Sequence, residues 1–281
     1  MGYKKDENRI TISFSEISTW LNCAFQHSLK YIKGYSEPSN IVLVYGKAMH
    51  SALQALYTLS VSDSLELFQK ELEDGANALG EYAPIEQVVT DYLVNGRELI
   101  RQYCKTPYAR MENKGIEISL EQKILGERVF FKGFIDILLW DKKRNKYIIV
   151  DFKTTANGWT PSVKNDKVKR SQLLLYKYFI LKNKRALGED LKDSDVECVF
   201  VLLKGKKQQL DYVHVDATEE QCIKAFRFLL EVVKKIYVEK KTKYKNTSGC
   251  FFCYWKDSPE CDRMSRRDEW VDTQQIVNIM I

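Results

Sequence analysis

No stretch of this 281-residue sequence stays apolar for the ~18–20 residues that a membrane span requires. The amino-terminal segment MGYKKDENRI has no apolar core of the kind that marks a secretory signal. Internal repeats and low-complexity linkers are also missing, which excludes solenoids and beads-on-a-string arrangements. The expectation is a soluble, cytoplasmic protein with no membrane partner, forming one domain over 1–281. Within it, 13–110 reads as a helical part, 111–215 as a core, and 216–281 as a C-terminal helix with a cysteine cluster.

Charge is present in both signs, 44 Lys and Arg against 38 Asp and Glu, for a net charge of +6. Its distribution is more telling than its sum. Lys164, Lys167, Lys169 and Arg170 lead into Lys177, Lys182, Lys184 and Arg185, with further basic clusters at 204–207 and 234–245. Acidic residues gather at 64–74. Such clusters are either solvated helix faces or a surface that tracks phosphates, and charge alone does not choose.

Seven cysteines in a chain with no export signal favour metal ligation or buried thiols over disulfides. Cys104, Cys198 and Cys222 are scattered and read as small buried hydrophobes. Cys250 and Cys253 have the C-x₂-C spacing that lets two thiolates reach one centre, and Cys261 follows after seven intervening residues. Zinc and an iron–sulfur cluster both fit that spacing. Three thiolates leave a tetrahedral or cubane site one ligand short, and Cys23 is the candidate for the fourth.

The hydrophobic periodicity predicts the framework. Ser13 and Glu16, at capping-box spacing, open a helix to about residue 33 with Phe14, Ile17, Leu21 and Leu29 on one stripe. Another helix is expected at 41–59, and one or two more across 62–103. β-Branched and aromatic residues then predict strands at 116–125, 128–140 and 146–154, the last two joined by a turn at DKKRN, 141–145. A helix at 168–183, strands at 196–203 and 209–215, and a final helix opened by Asp216 and Glu219 complete the pattern. Ile223, Phe226, Leu230 and Val233 are the expected inner stripe of that last helix. The fold class this predicts is α/β, a central mixed sheet flanked by helices.

Two strand segments carry chemistry. In DFKT, Asp151 and Lys153 are two apart, so a strand points them to the same face. In GFIDILLW, Asp136 interrupts an apolar run, where a carboxylate is costly unless paired or metal-bound. A turn centred at 143–144 sets Asp136 roughly opposite Asp151, and a one-residue slip would separate them. Two acids at neighbouring strand ends suit Mg²⁺ or Mn²⁺. A lysine beside them suits phosphodiester hydrolysis, in which a metal activates water and a cation steadies developing charge.

GFID followed by DFKT resembles the paired core motifs of the PD-(D/E)XK nucleases. GKAMH at 46–50 resembles the G-x-x-x-H motif of the RecB-like branch, and QLLLY at 172–176 its Q-x-x-x-Y motif. The segment 13–34 resembles that branch's leading helix, which carries a cysteine in iron–sulfur members. The resemblance implies a restriction-endonuclease-like core and a metal-dependent exonuclease acting on single-stranded DNA or DNA ends. Its metal ligands would be His50, Asp136, Asp151 and the carbonyl of Phe152, with Lys153, Gln172 and Tyr176 completing the site. It also implies a 4Fe–4S cluster on Cys23, Cys250, Cys253 and Cys261, zinc being the alternative. Partners would be DNA and a helicase, annealing or CRISPR-adaptation protein. Ala24 stands where such proteins commonly have proline. Tyr45, Trp159 and Tyr178 read either as base-stacking rings or as packing.

Overall fold

A computed structural model describes residues 9–183, 192–240, 250, 253–256, 258–259 and 261. Lys184, Arg185, residues 241–245 of the basic run and the segment 262–281 lie outside the described residues. The chain forms two compact units, one of residues 38–118 and 134–218, the other of 1–37, 119–133 and 219–281.

In the first unit, three helices come before the strands. Asn40 caps α3 (Ile41–Ala55), its side-chain oxygen accepting the amides of Val42 and Leu43 at 3.0 and 3.1 Å. Ser60 caps α4 (Val61–Asn77) in the same way, and α5 spans Glu86–Cys104. Their inner residues recur at three- and four-residue spacing: Tyr45, Met49, Ala52 and Leu53; Phe68, Leu72 and Ala76; Leu99, Ile100 and Tyr103. Gly96 lets α5 approach closely, because a Cβ there would lie 2.2 Å from the Phe68 ring.

The strands of this unit are ordered β3-β4-β5-β6. β3 (Val129–Asp141) enters from the other unit and pairs antiparallel with β4 (Lys146–Thr155), with Ile137 opposite Val150. β4 pairs parallel with β5 (Val196–Lys204), and β5 antiparallel with β6 (Gln209–Val215). The return from β4 to β5 runs through α6 (Pro161–Lys164) and α7 (Lys167–Lys182), as a parallel pair requires. Ile137, Leu139, Ile148, Val150, Phe152, Val199, Val201 and Leu203 join the core under α3, α4 and α5. The alternate residues face α7: Gln172 reaches Asp151, and the Cys198 thiol meets the Leu173 carbonyl at 3.7 Å. This is the expected mixed sheet flanked by helices. The tight β3–β4 turn has Asn145 at φ +55, a conformation Asn tolerates.

In the second unit, β1 (Ile10–Ser13) pairs parallel with the start of β3, Ile10 opposite Val129. β2 (Glu112–Leu125) begins in the first unit and also pairs with β3. The leading helix departs from expectation. Ser13 caps α1 (Phe14–Asn22) by accepting the Glu16 amide at 3.2 Å, but the helix stops at Cys23, whose backbone is extended. Cys23 then caps α2 (Ala24–His27), its sulfur accepting the Gln26 amide at 3.4 Å, and a π-helical turn covers Ser28–Ile32. Ile17, Leu21 and Leu29 are buried as expected, whereas Phe14 is half-buried. Glu16 is also buried, with its Oε1 2.9 Å from His27 Nε2 and accepting the Tyr237 hydroxyl.

The inner stripe of α8 (Glu219–Val233) is Cys222, Ala225, Phe228, Leu229, Val232 and Val233. Ile223, Phe226 and Leu230 are half-buried, so of the expected stripe only Val233 is fully covered. Apolar residues fill two adjacent lanes of this helix, and periodicity alone favours neither. No described helix is long and apolar enough to cross a membrane.

Candidate active site

Asp136 and Asp151 lie at the end of the β3–β4 ladder, which stops at Ile137 and Val150. Both are buried, 8% and 2% exposed. Asp136 Oδ2 accepts the Phe152 amide at 2.8 Å and stands 3.2 Å from His50 Nδ1. Asp151 Oδ1 accepts Gln172 Nε2 at 2.8 Å, and its Oδ2 lies 2.6 Å from Lys153 Nζ. That second oxygen is fully buried, and the Lys153 ammonium is the cation that offsets its burial.

Each side chain is delivered by a local device. His50 is carried by α3, and Gly46, one turn earlier, lets that helix lie against β4. A Cβ at residue 46 would meet Thr154 Oγ1 at 3.2 Å. The His50 ring also sits edge-on to Phe152, centroids 5.9 Å apart. Gln172 and Tyr176, one turn apart on α7, share a hydrogen bond of 3.0 Å from Gln172 Nε2 to the Tyr176 hydroxyl. The Phe152 ring is fully buried in the core, and its amide rather than its side chain belongs to the site.

Electrostatics bind the group together. Burial pushes the Asp151 carboxyl up to about 6, helped by the Asp136 charge and opposed by Lys153 and His50. Burial draws the His50 imidazole down, but the hydrogen bond and charge of Asp136, with the charge of Asp151, leave it raised overall. Burial and the Asp151 charge raise the Tyr176 hydroxyl well above its ordinary value, so it stays protonated. Asp136, Asp151, His50, Lys153, Gln172 and Tyr176 are thus gathered in one place. Among the described residues, however, no three or more His, Cys, Asp or Glu side chains stand in an arrangement that could hold a metal ion. Asp136 pairs with His50 and Asp151 with Lys153. The donor set itself, two buried carboxylates and an imidazole, fits a divalent ion chemically.

Four cysteines of the second unit, Cys23, Cys250, Cys253 and Cys261, are half-buried. Burial raises the Cys253 thiol, and the charges of Cys23 and Cys250 add to it; among the described residues, no three of these cysteines stand in an arrangement that could hold a metal ion. Cys261 donates its amide to the Ser258 carbonyl at 3.0 Å. Cys198 and Cys222 are buried hydrophobes as expected, while Cys104 is half-buried.

The basic run needs correction at Lys177. It is 3% exposed, donates to the Ala217 carbonyl and lies 3.0 Å from Asp193, so it is a buried latch and faces no phosphate. Tyr45 is a core ring, 4% exposed and packed on Phe68 and Tyr92. Sequence reasoning missed Phe200, whose ring centroid is 5.7 Å from Lys153 Nζ. It lies in the apolar run of β5 and resembles any core residue.

The family model of the PD-(D/E)XK nuclease superfamily matches residues 11–258. The chain belongs to the PD-(D/E)XK nuclease superfamily. Among solved structures, the crystal structure of SSO0001 aligns at a TM-score of 0.37 and 11% identity, over 83% of this chain and 92% of that one. No curated protein matches the chain.

Proposed function

We propose that this nuclease is a divalent-metal-dependent deoxyribonuclease of the RecB-like branch, degrading single-stranded DNA or DNA ends during recombination, repair or CRISPR adaptation. The observation that carries the reading is the buried Asp136–Asp151 pair, with His50 3.2 Å from Asp136 and Lys153 2.6 Å from Asp151. Asp136 and Asp151 would hold the ion through oxygen, with the His50 nitrogen and the Phe152 carbonyl beside them. An imidazole in the set favours Mn²⁺ over Mg²⁺. When bound, the metal supplies an activated water and neutralises phosphate charge.

The chain's own groups do the rest. Lys153 orients the attacking water and steadies charge on the phosphate. Gln172 fixes the Asp151 carboxylate through its 2.8 Å hydrogen bond, and the protonated Tyr176 hydroxyl is a donor close by. Exposed Lys169 and Lys182, together with Lys167 and Arg170, neutralise phosphates without base preference. In the second unit, Cys23, Cys250, Cys253 and Cys261 would hold a 4Fe–4S cluster that closes a long loop of chain. The C-x₂-C spacing of Cys250 and Cys253, with Cys261 following, supports this, and zinc is the competing occupant.

The test is degradation of labelled single-stranded DNA with Mn²⁺, comparing the wild type with Asp151→Ala and Lys153→Ala. Loss of degradation in both variants is expected. Equal activity in all three, or none in the wild type, overturns the assignment. Discrete products from a plasmid would instead mark an endonuclease. An anaerobic absorption spectrum with metal analysis separates iron–sulfur from zinc.

A further inference from the structure

We infer that Trp159 is a stacking platform for an unpaired base next to the scissile phosphate, and that it gives the site its preference for single strands over duplex. This rests on the nuclease reading above and adds a specificity residue to it. Trp159 lies in the loop that leaves β4 just past Lys153 and is half-buried. Its ring sits edge-on to Phe200, centroids 5.2 Å apart, and Lys153 Nζ is 5.7 Å from the same Phe200 ring. Placed end to end, those spacings hold Trp159 within about 11 Å of Lys153, no more than about three nucleotide steps at roughly 3.4 Å each. Beside Phe200, the exposed Lys169 also reaches the Trp159 ring, its Nζ 5.6 Å from the ring centroid. An aromatic ring with an ammonium over it presents a surface for a base and a charge for that nucleotide's phosphate.

The loop holds this ring in place before any ligand arrives. Gly158 has φ +89, and a Cβ there would lie 2.8 Å from Lys204 Cδ. Its amide donates to Thr155 Oγ1 at 2.6 Å. Gly205 and Lys206 donate to the Thr155 and Ala156 carbonyls at 2.9 and 3.0 Å. Lys164 and Lys204 both pair with Asp211, at 2.8 and 3.2 Å, tying α6 and β5 to β6 around the loop. A fixed ring loses little freedom on binding. Bases in a duplex are already stacked on their neighbours, so only an unpaired base gains from this surface.

The experiment uses the full chain with Mn²⁺ on one oligonucleotide sequence, single-stranded and as a blunt duplex. Trp159→Ala is expected to raise KM for the single strand by roughly 10- to 100-fold, from the ordinary worth of one base–aromatic stack. Its kcat should change by less, and duplex turnover should change little. Trp159→Phe should keep most of the preference. Trp159→Leu, with apolar bulk but no π-face, should behave like the alanine variant and controls for folding. Oligonucleotide binding in EDTA, followed by anisotropy, reads the platform separately from cleavage. A wild type that binds the single strand without cutting it sinks the nuclease assignment and leaves the platform standing. An unchanged ratio of single-strand to duplex binding in both the Ala and Leu variants overturns the platform itself.

Discussion

Asp151→Asn should make the metal-free protein more stable while abolishing its nuclease activity. The Asp151 carboxyl is pushed from 3.8 to about 6 by burial and the Asp136 charge. Ionising it in the folded state therefore costs about 3 kcal/mol, at about 1.4 kcal/mol per pKa unit. The direction with pH follows. The folded pKa lies above the unfolded one, so the folded protein holds an extra proton between about pH 4 and 6, and stability falls as pH rises through that window. Above it the full penalty applies. Asparagine is neutral at every pH and can still accept from Gln172, so it removes the penalty without leaving a gap. The gain should be largest at pH 7.5 and vanish near pH 4. For a chain of this size about 3 kcal/mol corresponds to a Tm rise of roughly 6–12 °C. Scanning calorimetry in EDTA at both pH values measures it, and Mn²⁺ should then raise the Tm of the wild type only. An asparagine variant less stable than wild type at pH 7.5, or equally shifted at both pH values, would refute the account of a strained, cation-seeking pair.

Gly46→Ala should push α3 off Thr154 Oγ1, now 3.2 Å from where the new Cβ would sit, and so displace His50. Activity should fall by about ten-fold or more, since misplacements near 1 Å are costly in catalysis, and adding Thr154→Ala should restore much of it in the same assay. Gly96→Ala drives a methyl into the Phe68 ring and should destabilise by about 1–3 kcal/mol, read by denaturant melts. Cys253→Ala should give a colourless protein, less stable by up to about 5 kcal/mol on the loop-closure estimate for cross-links. Absorbance and melting check it together, and a soluble variant with unchanged melting argues against the staple.

The sequence by itself determined the strands and most of the helices, because apolar residues recurring at a two- or 3.6-residue period are buried together only as a strand or a helix. It also marked Asp136, Asp151 and Lys153, since a charge inside an apolar run is hard to explain by packing. Gly46 and His50 were visible as a spacing, but that the glycine serves to bring α3 against Thr154 was not. Other features depended on neighbours distant in the chain. The break at Cys23 arises because its sulfur caps the following turn, a competition that periodicity does not register. The α8 stripe was off by a lane because two lanes are apolar and only the partner surface selects one. Lys177 reads as surface charge until Asp193 and the Ala217 carbonyl are seen around it, forty or fewer residues away in sequence but adjacent in space. Phe200 acquires meaning only from its distance to Lys153, which the parallel β4–β5 pairing sets.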